Sequence, residues 1–530
     1  EETLLVLSIM LRFCRLTPRA LSTVFGLLTL VQPGRGIAGV KLSTLQFQKT
    51  VERVTLRNNF DVEYTAEITV GGEKLNAVLD TGSFDVVILS TECDYSCGDV
   101  GLLYNEQRSS TFQSGNITAE QFYGSGSTKS RECWDTMDAG FGPVEHQVFW
   151  KVYSASMALL QDSSFQAIVG LGPPQSSIEF ARSDLEQARE MMSVKQIGNG
   201  DSAEGQDIVA NYEAILQHAE EAESLAQNFN LEAFSICLGK ELGSAGYFIW
   251  HDTLPQSQPQ GMFKTVPAED DLYWTTTLSD VSLGALPSSK LGKSTPLGCH
   301  SGTKCNAIFD TGTSLIMVPS SAMSQVQTAL NSWRDISGDC TKLSQLPNLE
   351  FTIGGEKITL PPDAYVGEVY GDLRQVDPEL QRFMPHLKAL VERRSGNLRA
   401  MANATEADSV AEDEDVFDDY SWDDWDFSGF GDNCVPLLMV LDLDSHLGQS
   451  WLFGIPFFRK YYTTFKFKQD ATAKPPVTPE SISFAEKDED CRPKAAAEEN
   501  FLPVSSEDRP RLRLDASKLR VPRWLKHRVA

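Results

Sequence analysis

Two short stretches of the 530-residue sequence nearly repeat each other, Asn76-Ala77-Val78-Leu79-Asp80-Thr81-Gly82-Ser83 and Asn306-Ala307-Ile308-Phe309-Asp310-Thr311-Gly312-Thr313. In each, an apolar approach ends in an aspartate, followed by a hydroxyl residue, a glycine and a second hydroxyl residue. One Asp-Thr-Gly alone reads as a strand running into a turn, because all three are common turn residues. Two copies sharing the same approach are much harder to assign to turns. Two carboxylates held close together cannot both ionise easily, so their titrations separate and the pair shares a proton. Such a pair is equipped for general acid-base hydrolysis: the ionised carboxylate takes a proton from water while the protonated one polarises a carbonyl. A tetrahedral gem-diol then forms, with no acyl-enzyme. The neighbours fit that task. Gly82 and Gly312 let backbone amides approach the carboxylates, Ser83 and Thr313 offer hydroxyls to their outer oxygens, and Thr81 and Thr311 complete the support of the pair.

The elements that must position these aspartates are short strands. Residues 54–180 carry alternating or apolar runs such as Glu67-Ile68-Thr69-Val70 and Val86-Val87-Ile88-Leu89, broken by glycines. Each aspartate also has a downstream apolar-apolar-Gly partner, Ile168-Val169-Gly170 and Leu452-Phe453-Gly454. The texture changes over residues 183–228, where Ile208, Val209, Tyr212, Ile215, Leu216 and Ala219 recur at helical spacing, predicting an inserted helical excursion. Strand texture returns at 234–238, 247–250, 274–283, 349–360 and 437–441. A second insertion spans 367–433. Its first part places Leu380, Phe383, Leu387, Leu390 and Val391 on one helical face, with Pro385 starting or bending that helix. Its second part, 406–432, holds twelve acidic residues and no Lys or Arg, with Trp422 and Trp425 among its aromatics. Like-charge repulsion predicts disorder there, with partner binding as the other reading. Residues 509–530 have the opposite bias, with eight Lys and Arg.

At this length two lobes are expected rather than one core. The 73 acidic residues outnumber 46 basic ones for a net charge of -27, which disfavours nucleic acid and anionic lipid as partners. Residues 20–31 are apolar, preceded by Arg12, Arg15 and Arg19 and followed by small residues, and read as a secretory signal; a single membrane anchor is the competing reading. Of the ten cysteines, Cys93/Cys97 and Cys299/Cys305 are close-spaced pairs that would close small loops in an oxidising compartment. A zinc site competes with that reading, but the spacings are not those of zinc knuckles and the seven histidines do not cluster near them. Sequons at Asn116 and Asn403 are glycosylation candidates that agree with secretion.

With the two Asp-Thr-Gly copies and their partners in view, the chain resembles the pepsin-like aspartic proteases, whose two lobes each contribute one such loop to a shared cleft. Tyr104-Asn105, Ser109-Ser110-Thr111-Phe112, Tyr123-Gly124-Ser125-Gly126, Leu346-Pro347-Asn348, Phe351-Thr352-Ile353 and Trp451 through Tyr461-Tyr462-Thr463 follow the family in order, over about residues 54–466. The resemblance implies an all-β, bilobal pepsin-like fold with helical and acidic insertions. It implies an aspartic endopeptidase with Asp80 and Asp310 as its catalytic pair, working on polypeptides at acidic pH with no cofactor and no metal. It places Tyr123, Gly124, Ser125 and Gly126 in a flap hairpin that closes over the peptide. Family members usually carry a tryptophan seven residues after the first catalytic Asp, where its indole can hold the flap tyrosine; this chain has Val87 there. By position Cys93/Cys97 and Cys299/Cys305 match the family's two small-loop disulfides and Cys340/Cys434 the third, stretched by the insertion. Cys133/Cys237 is the remaining pairing considered, with Cys237 equally readable as a buried thiol.

The resulting layout is a signal segment at 1–39, a short pro-segment or strand at 40–59, an N-terminal lobe at 60–240, a C-terminal lobe at 241–468 and a tail at 469–530. The chain is expected to act as a monomer in a secreted, vacuolar or lysosomal setting; contact between the basic tail and the acidic insertion is one reading of their opposite charge, and two solvated, independent segments the other. A pepsin-fold binding or inhibitor protein without turnover is the alternative, since fold alone does not establish activity.

Overall fold

The computed structural model describes residues 51–494 apart from 94, 99–100, 124–125, 158–159, 161–162, 194–202, 240, 242, 260, 286–292, 301, 333–342, 344, 371–433, 441–447 and 471, together with 513–515. The fold is all-β and bilobal. Strands make three sheets, of thirteen, eight and three strands.

The internal sequence repeat is also a repeat of topology. In the first lobe Glu73–Asp80 pairs antiparallel with Glu63–Val70 on one side and parallel with Ala167–Gly170 on the other. That last strand pairs antiparallel with Val86–Leu89, which pairs parallel with Pro143–Met157. In the second lobe the same sequence of pairings runs through Thr275–Leu283, Cys305–Phe309, Gln449–Phe453, Ile316–Val318 and Leu438–Val440. The two apolar-apolar-Gly segments are therefore the strands lying parallel to the aspartate strands. Residues 77–80, 167–170 and all of 305–309 are buried, which is why they read as continuous apolar runs rather than alternating ones.

Six strands join the lobes, in the order Lys264–Pro267, Val477–Glu486, Tyr461–Gln469, Ala233–Cys237, Gly246–Trp250 and Glu52–Asn59. Val477–Glu486 belongs to the stretch read from sequence as tail; it returns along Tyr461–Gln469 as a hairpin. Aromatic rings fill this junction: Phe234 stacks on Phe248 and Phe465, at 5.3 and 5.0 Å between centroids, and Trp274 packs on Phe465 and Phe467. Trp274 also donates its indole N–H to Leu171 O at 2.9 Å, which ties the start of the strand Thr275–Leu283 to the loop after Gly170.

The helical excursion is a hairpin of two helices, α1 (Gln175–Ser193) and α2 (Ala203–Glu221), followed by a single turn at Leu225–Asn228. It begins eight residues earlier than the 183 expected from sequence. Ile178, Ala181, Leu185 and Ala188 are the buried stripe of α1, and their 3-, 4- and 3-residue spacing is that of one helix face. The turn is closed by a reciprocal cap between Ser224 and Gln227.

At the base of the second insertion Val366–Tyr370 pairs antiparallel with Cys434–Pro436. On its other edge Glu368–Tyr370 pairs parallel with Arg513–Asp515, so a piece of the basic tail joins the chain where the insertion leaves the lobe. The acidic run 406–432, the helical segment before it, Asn403 and the whole 1–50 segment lie outside the described residues.

Disulfides join Cys93 to Cys97 and Cys299 to Cys305. The pairing of Cys133 with Cys237 is not what forms. Cys237 is bonded to Cys491, and Cys133 is a buried free thiol. The two belong to different packing clusters: Cys237 sits with Ile249 and Tyr462, while Cys133 lies among the first lobe's core residues. Burial raises the Cys133 thiol to about 11, so it is inert at ordinary pH. Cys340 lies outside the described residues, and so does any bond it makes.

Candidate active site

Each aspartate strand ends in a loop that turns back under its parallel partner. In the first lobe Leu171 N–H donates to Asp80 O at 2.7 Å and Gly172 N–H to Ser83 O at 2.7 Å. In the second, Asp310 N–H donates to Phe453 O at 3.0 Å and Ile455 N–H to Thr313 O at 2.9 Å. Each loop is thus fixed by the strand that follows it in the sheet. The two loops then meet.

Their meeting is made by the threonines. Thr81 Oγ1 accepts from Thr311 N–H (3.0 Å) and donates to Phe309 O (3.0 Å). Thr311 Oγ1 accepts from Thr81 N–H (3.0 Å) and donates to Leu79 O (2.6 Å). All four groups are buried, so this crossed set is a rigid clasp whose polar atoms have no water to fall back on. The carboxylates are held the same way in both loops. Gly82 N–H donates to Asp80 Oδ1 (2.9 Å) and Ser83 Oγ–H to Asp80 Oδ2 (2.7 Å). Gly312 N–H donates to Asp310 Oδ1 (2.7 Å) and Thr313 Oγ–H to Asp310 Oδ2 (2.7 Å).

The glycines are required by space. A Cβ on Gly82 would lie 2.4 Å from Asp310 Cγ, and one on Gly312 would lie 2.2 Å from Asp80 Oδ1. Each loop therefore uses its glycine to admit the other loop's carboxylate. Asp80 and Asp310 are 5% and 1% exposed, and their side chains reach each other. Burial, and then the charge of Asp80 beside it, holds the Asp310 carboxyl well above the ordinary aspartate range, against the opposing bonds from Thr313 and Gly312. Among the described residues no group of three or more His, Cys, Asp or Glu is placed to hold a metal ion.

Strands Gln113–Tyr123 and Gly126–Asp138 form a long hairpin in which Tyr123 pairs with Gly126. Gly126 has φ +147° and a Cβ there would meet Ser156 O at 2.1 Å, so this position takes only glycine. Gly124 and Ser125, between them, lie outside the described residues. Tyr123 is buried in a cluster with Val78, Val87, Trp150, Phe165 and Ile168. Val87 faces Trp150 across the parallel pair of their strands, so an indole does enter Tyr123's cluster, from a different strand than the family pattern implies. The Tyr104 to Thr111 stretch has a supporting role: Tyr104 and Ser109 hydroxyls and Thr111 all donate to Asp135 of the hairpin.

The family model of the eukaryotic aspartyl protease matches residues 63–199 and 212–374, more than half of the chain. The chain belongs to the eukaryotic aspartyl protease family. Membership places it among peptide-bond hydrolases. Among curated relatives, pepsin A of Bos taurus is 26% identical over 322 residues, covering 60% of this chain and 74% of the relative. Pepsin A of Canis lupus familiaris is 25% identical over 318 residues, covering 59% and 70%. Pepsin-3 of Oryctolagus cuniculus is 23% identical over 422 residues, covering 78% and 81%. For this aspartyl protease the two breaks in the family match are informative: they fall at 200–211, between and into the helices of the hairpin, and after 374, at the mouth of the second insertion.

Sequence reasoning named every residue of the two loops but not the way Thr81 and Thr311 cross. It missed Phe84, whose ring stacks on Phe180 of α1 at 5.4 Å, and the docking of α2 on the hairpin of Tyr123. The signal for α2 was its helical spacing. Nothing in that spacing names the surface it covers.

Proposed function

We propose that this protein is an aspartic endopeptidase that hydrolyses polypeptides with water held between Asp80 and Asp310. The observation that carries the reading is the matched bonding of two buried carboxyls, each held by a glycine N–H and a hydroxyl of its own loop, one of which retains its proton well above the usual range. Water lying between the two carboxyls gives a proton to the ionised one as its oxygen adds to the scissile carbonyl carbon. The protonated carboxyl gives its proton to the carbonyl oxygen, and a gem-diol results. Collapse of the gem-diol returns a proton to the amide nitrogen, the C–N bond breaks, and the pair is left with the single proton it began with. No covalent enzyme intermediate is required.

The pH dependence follows from the shared proton. The active form has one proton on the pair, and raising the pH removes it, so the rate falls on the alkaline side. Tyr123 and its hairpin are proposed as the flap that excludes water over the bound peptide. Three disulfides fit an oxidising compartment and with it secretion or an endomembrane lumen, and the exposed Asn116 suits a glycan acceptor. Among the described residues no helix is long and apolar enough to cross a membrane.

The deciding experiment is cleavage of an unfolded protein substrate between pH 3 and pH 8, with and without a statine-type peptide. Acid-side cleavage blocked by that peptide is the expected result. Saturable binding of the peptide with no cleavage at any pH would replace the enzyme reading with that of a binding protein on a pepsin-like fold.

A further inference from the structure

The helical hairpin bridges two parts of the candidate site. At one end Phe180 of α1 stacks on Phe84, the residue that follows Ser83 of the first aspartate loop. At the other, α2 lies on the flap strands: Asn211 Nδ2–H donates to Thr118 O at 2.9 Å, and His218 Nδ1 is paired with Glu132 Oε1 and lies edge-on to Trp150. The helices are held to each other by Arg189 with Glu213 at 2.7 Å. This is a wall pinned to the catalytic loop and to the flap at once.

Behind the wall lies a cavity of about 1930 Å³ whose lining takes in Gly82 of the first aspartate loop, though neither aspartate, together with strands of the Tyr123 hairpin and both helices. That volume exceeds the roughly 300–1,000 Å³ of a small-molecule site. It suits a length of polypeptide. Aromatic side chains, Phe84, Phe122, Phe180 and Tyr212 among them, offer apolar contact along it. Its ionisable lining is biased, with seven carboxylates against Lys129, Arg182, Lys474 and His218, of which Arg182 is already paired with Glu179 and Glu220 and His218 with Glu132.

We infer that the hairpin is a substrate-reading wall, and that the cavity it closes receives the part of a polypeptide extending beyond the scissile bond, favouring segments with Lys or Arg among apolar side chains. This rests on the endopeptidase reading above. Continuity with Gly82 supplies the occupant, since a peptide lying across the dyad must leave the site on both sides. The charge bias supplies the preference. Asp184 and Asp207, one from each helix, are the carboxylates best suited to test it, because both lie in the lining and neither belongs to the aspartate loops.

The test uses peptides sharing one cleavable core and carrying either Lys-Lys or Glu-Glu beyond it, on the N-terminal side in one series and the C-terminal side in the other. On one of the two sides, kcat/KM is expected to be about three- to tenfold higher for Lys-Lys, the size of one or two partly exposed charge pairs. That ratio should fall towards one in the Asp184→Asn, Asp207→Asn double variant and fall further in Asp207→Lys. A ratio near one on both sides in the wild type, or one unchanged in the variants, overturns the inference while leaving the endopeptidase reading intact. Absence of all hydrolysis by the wild type removes both.

Discussion

The two halves of the dyad are built alike within a few ångströms of the carboxylates and differ beyond that. Both aspartates take a glycine N–H and a hydroxyl, and both loops are backed by the same order of strands. Past this shell the first half carries the Tyr123 hairpin, with strands of 11 and 13 residues, and its loop touches α1 through Phe84. In the second lobe the hairpin Leu349–Ile353 and Glu356–Leu360 has strands of five residues and turns at Gly354 and Gly355. Its aspartate loop is instead followed by a bond to the other lobe, Ser314 Oγ–H donating to Val62 O at 2.8 Å. The chemistry needs both carboxylates held equally, whereas gating and substrate reading need only one side to move or to carry recognition. Under the proposed function, symmetry is kept where the proton is shared and dropped where the peptide is met.

The comparison is broken most severely by removing either carboxylate. Asp80→Asn and Asp310→Asn are each expected to lower kcat by at least about 10²–10⁴-fold, with the fold preserved in far-UV circular dichroism. Turnover retained in either variant would mean that the halves are not equal partners. Next come Gly82→Ala and Gly312→Ala. Each methyl pushes on the opposite loop's carboxyl, and a displacement of about 1 Å is expected to cost roughly 10²-fold in kcat, measured on a peptide whose KM is followed in parallel.

Thr81→Val and Thr311→Val separate the clasp from the chemistry. Each leaves a buried carbonyl and a buried N–H without their partner, so each is expected to destabilise the protein by about 2–4 kcal/mol in denaturant unfolding, and by similar amounts if the halves are truly alike. The smallest effect is on stability against pH. Because the folded Asp310 carboxyl keeps its proton above the ordinary range, the folded state binds more protons than the unfolded chain once pH passes the unfolded value. This contribution therefore makes stability fall as pH rises from about 4. Asp310→Asn removes it, so the variant should melt a few degrees above wild type at pH 7 and approach it at pH 3. An equal gap at both pH values would show that the proton is not held as described.

The dyad was legible because its information is local and doubled: an apolar run, Asp, a hydroxyl residue, Gly and a hydroxyl residue occur twice, and the all-β, two-lobed fold follows from the strands that must carry them. Long-range pairing was not legible. Cys237 and Cys491 are 254 residues apart, and spacing alone did not distinguish that bond from the alternative with Cys133. The docking of His218 on Glu132 is equally non-local, and amphipathic spacing says which face of α2 is covered but not by what. Val87 is a case of displacement. The missing indole at that position reads as a gap, yet Val87 is 3% exposed beside Trp150, so Val87→Trp would overpack a filled cluster and is expected to cost about 1–3 kcal/mol.

The Cys237–Cys491 bond has a further consequence for the chain as a covalent object. Its two cysteines enclose the second aspartate loop and the whole of 371–433, so a proteolytic nick anywhere between them yields two fragments that remain one molecule. Asp80 would travel on the first fragment and, for a cut within 371–433, Asp310 with it, while the strands Tyr461–Gln469 and Val477–Glu486 that complete the interlobe sheet would sit on the second. A nicked sample should therefore run as one band on a non-reducing gel and as two after reduction.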